Sequence, residues 1–420
     1  MSDNLAAGLD FGTSNSAIGI HDGRAARLHR FEGGTAVVPS AVFYDLDDGG
    51  WSFGREAEAR FLDGAHGRYL RALKSVLGTS LVGERTRMGR RAVPFTEIIE
   101  RFVGALKAAA EEEAGAPLTR VLAGRPVRFV DGDDERDRAA QDALEGVLRA
   151  VGFEEIAFLP EPVGAAVDAE RLIDRAGLAV VADIGGGTSD VSVLEVDPGS
   201  PARVLSNAGV HVGGTDFDRE LSLRHVMPAL GRGSATRPPM SSGPIGVPNA
   251  LFSDLATWQR IPMLYTPRTV RDVAAMARHA LEPRKLALLL RVVEEELGHG
   301  LLAAVEDAKI ALSDDPRSTV ALRDLPALDP VALDGAALRD ALAADAGRIG
   351  ATVEAALAEA GVGGADVATL VLTGGSTLLP AVRDAIAVRV PEARMVRPDR
   401  FAGIAHGLTV QAGRRFFGAA

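Results

Sequence analysis

The chain has no cysteine, which excludes disulfides, thiol nucleophiles and thiolate metal sites. Lysine is scarce: Lys74, Lys107, Lys285 and Lys309 are the four, and arginine supplies the rest of the basic charge. Basic residues number 46 against 57 acidic ones, a formal net charge of −11, which argues against general binding to nucleic acid or to acidic membranes. Long apolar runs are missing. The most apolar internal stretch, Leu286 to Leu290, is short and flanked by Lys285 and Arg291, so it does not span a membrane. The start, MSDNLAAG, has neither a basic region nor a long apolar core, so no signal peptide is expected and a cytoplasmic location follows by default. There is no G-x-x-x-x-G-K-[ST] loop and no short-range repeat. The histidines, His211, His225 and His299 among them, form no H-x₃-H pattern beside a carboxylate set and read as structural or surface residues.

What is present is a repeated hairpin. In Ala179–Val196 an apolar run ends on Asp183, three glycines follow (Gly185, Gly186, Gly187), then Thr188, Ser189 and Asp190, and a β-branched run resumes. That pattern reads as strand, tight turn, strand. Glycines let backbone N–H groups close around an anion, and Thr188 adds a hydroxyl donor. Asp183 and Asp190 would repel a phosphate, so they imply Mg²⁺ or an attacking water between. Alone, the turn reads as well as an ordinary hairpin with solvated aspartates. A second copy lies at the N-terminus, where Asp10 ends an apolar run and Gly12, Thr13, Ser14 and Asn15 precede another. Two such hairpins suggest two related halves facing each other across a nucleotide.

A third glycine turn, Gly374-Gly375-Ser376, stands between the apolar run Ala368–Leu372 and a helix. A fourth, Gly213-Gly214, leads into a helix with Phe217 and Leu221. Lys74 reads either as a solvated helix lysine or as a point charge near a transferring phosphate. Glu161 reads either as a first-turn carboxylate or as holder of a water in a Mg²⁺ shell. Glu306, Lys309 and Ser313 share a helix face by spacing, as a surface ion pair or as polar groups for a ribose and base. Helices are expected over about Thr96–Ala114, Glu135–Val151, Val163–Arg175, much of Val270–Leu312, within Asp329–Ala360, Leu379–Val388 and Phe401–Phe417. Gly231–Asn249, rich in Gly, Pro and Ser, reads as a flexible surface loop, either a partner site or, the favoured reading, a disordered insert. A chain of 420 residues predicts two domains, and hairpins alternating with helices in two halves predict an α/β fold of mixed sheets.

Taken together, Asp10–Ser14, Asp183–Asp190 and Leu372–Thr377 resemble the two phosphate motifs and the adenosine motif of the actin-like ATPase superfamily. The match is closest to the nucleotide-binding domain of the DnaK-type heat shock protein 70 chaperones, in a short, YegD-like branch. Glu161–Ala166 and Gly403–Gly407 resemble that family's two connecting motifs. The resemblance implies two lobes, each with a ribonuclease H-like mixed sheet: lobe I over 1–177 with an inserted subdomain at about 40–115, and lobe II over 178–420 with a mostly helical insert at about 217–300. It implies ATP/ADP and Mg²⁺ as ligands, with Asp10 and Asp183 holding the hydrated metal. Gly12, Thr13, Ser14, Asn15, Gly185, Gly186, Gly187, Thr188, Gly213 and Gly214 would surround the β- and γ-phosphates. Lys74, Glu161, Asp183, Thr188 and Asp190 would be catalytic. Glu306, Lys309, Ser313, Gly374, Gly375 and Ser376 would hold adenosine, with Asp399 near the ribose.

Three departures from the family pattern bear on the base: Ile310 and Leu378 stand where arginines usually pack on adenine, and Thr215 replaces a glutamate. The implied activity is slow ATP hydrolysis with nucleotide-driven lobe closure, read by a protein partner or client, in a monomer without nucleic-acid or membrane partners. Since the chain stops at Arg414–Ala420, the peptide-binding domain of a full chaperone is expected to be missing, leaving a chaperone-like or regulatory role. A small-molecule kinase and a filament-forming protein of the same superfamily are the alternatives.

Overall fold

A computed structural model describes residues 5–169, 176–197, 202–239, 242–397 and 402–418. The chain divides into two compact units. One comprises Met1–Gly214, Gly347–Thr377 and Arg383–Ala420, and the other Thr215–Ala346 and Leu378–Val382.

The first unit holds two mixed sheets. In one, β1 (Ala6–Phe11), β2 (Asn15–His21) and β3 (Ala26–Leu28) form an antiparallel meander. β4 (Arg120–Arg125) and β5 (Glu155–Pro160) then add in parallel on the free side of β1. In the other, β6 (Gly177–Ile184), β7 (Ser189–Val196) and β8 (Arg203–Val210) repeat the meander, and β9 (Val367–Thr373) and β10 (Arg394–Val396) add in parallel beside β6. Both sheets therefore have one connection order, with the antiparallel hairpin leading each. The expected α/β architecture of mixed sheets is the one observed.

Strand periodicity explains how the faces are used. Ala7, Leu9 and Phe11 of β1 join one core cluster with Ile98, Ile99 and Phe102 of the Phe95–Ala114 helix and Leu144, Val147 and Leu148 of the Asp134–Ala150 helix. Successive residues of a strand point to opposite faces, and Ala6 accordingly packs with Leu408 and Ala412 of the Gly403–Phe417 helix. That helix lies unusually close. A Cβ on Gly8 would stand 2.3 Å from the Thr409 amide nitrogen, and one on Gly19 would stand 2.0 Å from Thr409 Oγ1. Glycine at both strand positions is what permits the approach. The Phe95–Ala114 helix ends at Gly115, φ 66°, whose N–H returns to Glu111 O at 2.9 Å. Each fully buried Ile, Leu or Phe of this core contributes about 1.5–3 kcal/mol.

The second unit is mainly helical, with Asn249–Leu255, Pro267–Arg278, Pro283–Glu294 and Gly298–Ala311 burying Phe252, Val273, Leu289, Val292 and Leu302. The stretch read as a disordered loop is in part ordered: Ala235–Thr236 pairs antiparallel with Ile245–Gly246, and Arg237 N–H donates to His279 O at 2.7 Å. Backbone pairing of this kind is invisible in a Gly/Pro/Ser-rich composition. No helix among the described residues is long and apolar enough to cross a membrane.

Candidate functional site

Two turns build the site in the first unit. β1 runs into Asp10-Phe11, and Gly12-Thr13-Ser14 turns the chain into β2. This turn is fixed from outside: Ser40 Oγ donates to Gly12 O at 2.7 Å and Ser40 N–H donates to Ser14 O at 2.8 Å. β6 runs into Asp183-Ile184, and Gly185 N–H closes the second turn on Thr188 O at 2.9 Å. The same Gly185 carbonyl accepts from Gly214 N–H at 3.0 Å and from Ser376 Oγ at 3.1 Å, so the third and fourth glycine turns are tied to the second.

The two hairpin turns face each other. A Cβ on Gly186 would lie 2.2 Å from Ser14 Oγ, and one on Gly187 would lie 2.7 Å from Thr13 Oγ1. A Cβ on Gly213 would stand 2.5 Å from the Gly187 amide nitrogen. Gly374 has φ +80°, and a Cβ there would lie 2.3 Å from Ile184 O and 2.8 Å from Asp183 Oδ1. Glycine at these positions lets the turns close on one another, and this paired-turn cradle is lined by backbone and bordered by the hydroxyls of Thr13, Ser14 and Ser376.

Beside the cradle lies a charge cluster. Asp10, Lys74, Glu161, Asp183 and Asp190 are all buried, none more than 7% exposed. Lys74 arrives from a 3-10 turn, Leu73–Val76, directly after the strand Gly67–Arg71, and its ammonium donates to Glu161 at the start of the Glu161–Ala169 helix. The reading of Lys74 as a solvated helix lysine is overturned: the flanking Leu73 and Val76 are anchored in the core and draw the turn inward. Asp190 Oδ1 accepts from Val127 N–H at 2.6 Å, and the Thr188 hydroxyl also donates to Asp190.

One ammonium does not neutralise four buried carboxyls. Burial, with the Glu161 carboxylate close by and Lys74 opposing, pushes Asp10 up to about 7. Burial and Glu161 push Asp190 up to about 7 against its Val127 and Thr188 hydrogen bonds. Burial, then Glu161, Asp190 and Asp10, raise Asp183 well above the usual carboxylate range. For Lys74, burial alone would lower the ammonium, but Glu161, Asp10 and Asp190 outweigh it and hold it above its ordinary value. Asp183 Oδ1 and Asp190 Oδ2 are buried without a hydrogen-bond partner. Orphaned carboxylate oxygens beside a backbone cradle fit a hard, oxygen-seeking cation such as Mg²⁺. Among the described residues no three His, Asp or Glu are grouped to ligate an ion by themselves.

Asp10, Gly12–Asn15, Lys74, Glu161, Asp183, Gly185–Asp190, Gly213, Gly214 and Gly374–Ser376 all belong to the first unit. Glu306, Lys309 and Ser313 belong to the second. There Lys309 is buried and paired with Asp218 at 2.7 Å, while Ser313 lies past the end of the Gly298–Ala311 helix, in the following turn rather than on the helix face. Ile310 is 56% exposed and Leu378 38%. Asp399 lies outside the described residues. Sequence reasoning missed Ser40 and the Val127 amide, which act on the turns and on Asp190 from distant segments. The pair of buried Asp168 and half-buried His406, 2.8 Å apart and joining the Glu161–Ala169 and Gly403–Phe417 helices, was equally hidden.

The Hsp70 protein family model matches residues 84–233. The chaperone protein HscA homolog of Laribacter hongkongensis is 33% identical over 236 residues, covering 52% of this chain and 36% of the relative. The chaperone protein DnaK of Mycoplasmopsis synoviae is 24% identical over 98% of this chain and 59% of its own length. The HscA homolog of Burkholderia pseudomallei strain 668 is 26% identical over 97% of this chain and 58% of its own. The matched stretches thus span from about a third to three fifths of these relatives' lengths. The chain is thus similar to the Hsp70 family over residues 84–233, and with its paired Asp-led glycine turns on two sheets of one connection order it has the actin-like ATPase fold.

Proposed function

We propose that the cradle binds the phosphates of ATP with Mg²⁺ and that the chain hydrolyses ATP slowly. One observation carries this: two glycine turns bordered by hydroxyls face each other beside a buried carboxylate cluster left three negative charges short of neutrality when fully ionised. Such a cluster needs a cation, and the cradle needs an anion. When bound, Mg²⁺ would neutralise charge on the phosphate oxygens.

The chain's own residues divide the remaining work. Thr13, Ser14 and the backbone of Gly185–Thr188 orient the triphosphate. Asp10 and Asp183 present oxygens to the hydrated metal. Lys74, fixed by Glu161, and Asp190, fixed by Val127 and Thr188, flank the position of the attacking water. Water adds to the terminal phosphorus, the bond to the bridging oxygen breaks, and ADP, phosphate and a proton leave. Asp190, raised to about 7, can take up a proton near neutral pH.

Gly374–Ser376 meet the adenosine end of the nucleotide in this reading, and in the second unit Lys309 is steadied by Asp218. The division into lobes at 177/178 is supported by the repeated connection order of the two sheets. Lobe closure on nucleotide, read by a protein partner or client, is the output, in keeping with the chaperone names of the relatives. The test is phosphate release from ATP by purified protein with Mg²⁺ and no acceptor. Turnover that Asp183→Asn abolishes supports the proposal; absence of turnover in the parent overturns it.

A further inference from the structure

The turn that brings Lys74 into the cluster also brings a serine to the cradle. Strand Gly67–Arg71 ends at Ala72, a non-glycine residue at φ 54°, ψ 39°. That left-handed conformation is disfavoured for a residue with a Cβ. It is held by Ser75 N–H donating to Ala72 O at 3.1 Å, by Leu77 N–H donating to Lys74 O at 3.1 Å, and by burial of Leu73 and Val76. With those two apolar side chains in the core, the intervening Lys74 and Ser75 turn toward the site.

Ser75 reaches a definite place. A point where a Cβ on Gly187 would sit is 3.1 Å from Ser75 Oγ and 2.7 Å from Thr13 Oγ1. Two hydroxyls from separate segments therefore converge over one glycine, at the position where any side chain would obstruct the cradle. Ser75 is half-buried, and its turn neighbour Lys74 enters the carboxylate cluster. A neutral donor suits that place, since it can serve an anion without altering the charge of the cluster.

We propose that Ser75 is a phosphate-positioning residue whose hydroxyl donates to a terminal phosphoryl oxygen of a bound nucleoside triphosphate, beside Thr13. This rests on the nucleotide reading above. A donor aimed at the terminal group discriminates triphosphate from diphosphate.

The test titrates the full chain, with Mg²⁺, against a non-hydrolysable ATP analogue and against ADP, for the parent, Ser75→Ala and Ser75→Thr, and follows thermal melting and phosphate release in parallel. Ser75→Ala should weaken the analogue about 10- to 150-fold, the size of one hydrogen bond to a charged group. ADP affinity should stay within about 2-fold, and Ser75→Thr should restore the analogue. An equal loss for both nucleotides, no change for either, or no recovery in Ser75→Thr overturns the role of Ser75 while the parent's own binding and turnover leave the nucleotide reading standing. A parent that binds neither ligand overturns both.

Discussion

Lys74 and Glu161 stand 87 positions apart in the chain and form one buried ion pair between a 3-10 turn and a helix start. Removing one partner leaves the other's charge buried without compensation, which typically costs about 3–5 kcal/mol. Lys74→Ala should therefore lose both stability and turnover. The double variant Lys74→Met, Glu161→Gln should regain most of the stability in urea melts and none of the phosphate release. Recovery of turnover along with stability would show that the pair is architectural and takes no part in the chemistry.

The raised carboxyls give the nucleotide-free protein a defined pH response. Asp190 titrates near 7 when folded and near the ordinary carboxylate value, about 3.9, when unfolded. Between those values the folded chain holds a proton that the unfolded chain has released, so this residue's contribution to stability is complete below about pH 4 and is lost as pH rises through 7. Asp190→Asn keeps an oxygen for Val127 N–H and removes the titration. Melting temperatures of the variant and the parent should converge near pH 5, with the variant higher at pH 8, and Mg²⁺ should stabilise the parent more at pH 8 than at pH 5. A difference that stays flat across that range would refute the account.

Two glycines of similar φ separate backbone conformation from crowding. Gly33, φ +78°, has open space where a Cβ would stand, whereas a Cβ on Gly374, φ +80°, would meet the Ile184 carbonyl at 2.3 Å. Gly33→Ala should cost roughly 1 kcal/mol, from the left-handed backbone alone. Gly374→Ala should cost at least about 2 kcal/mol more, because the carbonyl that must yield belongs to the strand carrying Asp183. Comparable midpoints in denaturant for the two variants would contradict the tight packing at Gly374.

Asp168 and His406 should show energetic coupling. The His406 imidazole is hydrogen-bonded to a carboxylate that is only 6% exposed. A double-mutant cycle with Asp168→Ala and His406→Ala should give an interaction of about 0.5–3 kcal/mol. Additive losses would mean that the two helices are held together by apolar contacts alone.

Much of this was legible in the residues themselves. Asp10 and Asp183 announced strand ends because each closes an apolar run and opens a glycine turn, and the helix at Phe95–Ala114 announced itself by the spacing of Ile98, Ile99, Phe102, Val103 and Leu106. What stayed hidden depends on partners remote in sequence. Lys74 stands in an apolar-flanked segment, but its burial depends on a partner 87 residues away and on a left-handed alanine that composition does not signal. Ser75 sat unremarked for the same reason. The short pairing of Ala235–Thr236 with Ile245–Gly246 rests on backbone hydrogen bonds, which the Gly, Pro and Ser content of the stretch obscured.

The fit of Thr409 over Gly8 and Gly19 has a consequence for biogenesis. Both strands are sealed on one face by a helix synthesised roughly 400 residues after them, which at ~5–20 residues per second is a delay of about 20–80 s. Until that helix emerges, the strand bearing Asp10 has a bare, small-residue surface with nothing to cover it. Nascent chains halted before residue 403 should accordingly be protease-sensitive across their N-terminal strands, and the arrival of the Gly403–Phe417 helix is the event that locks them.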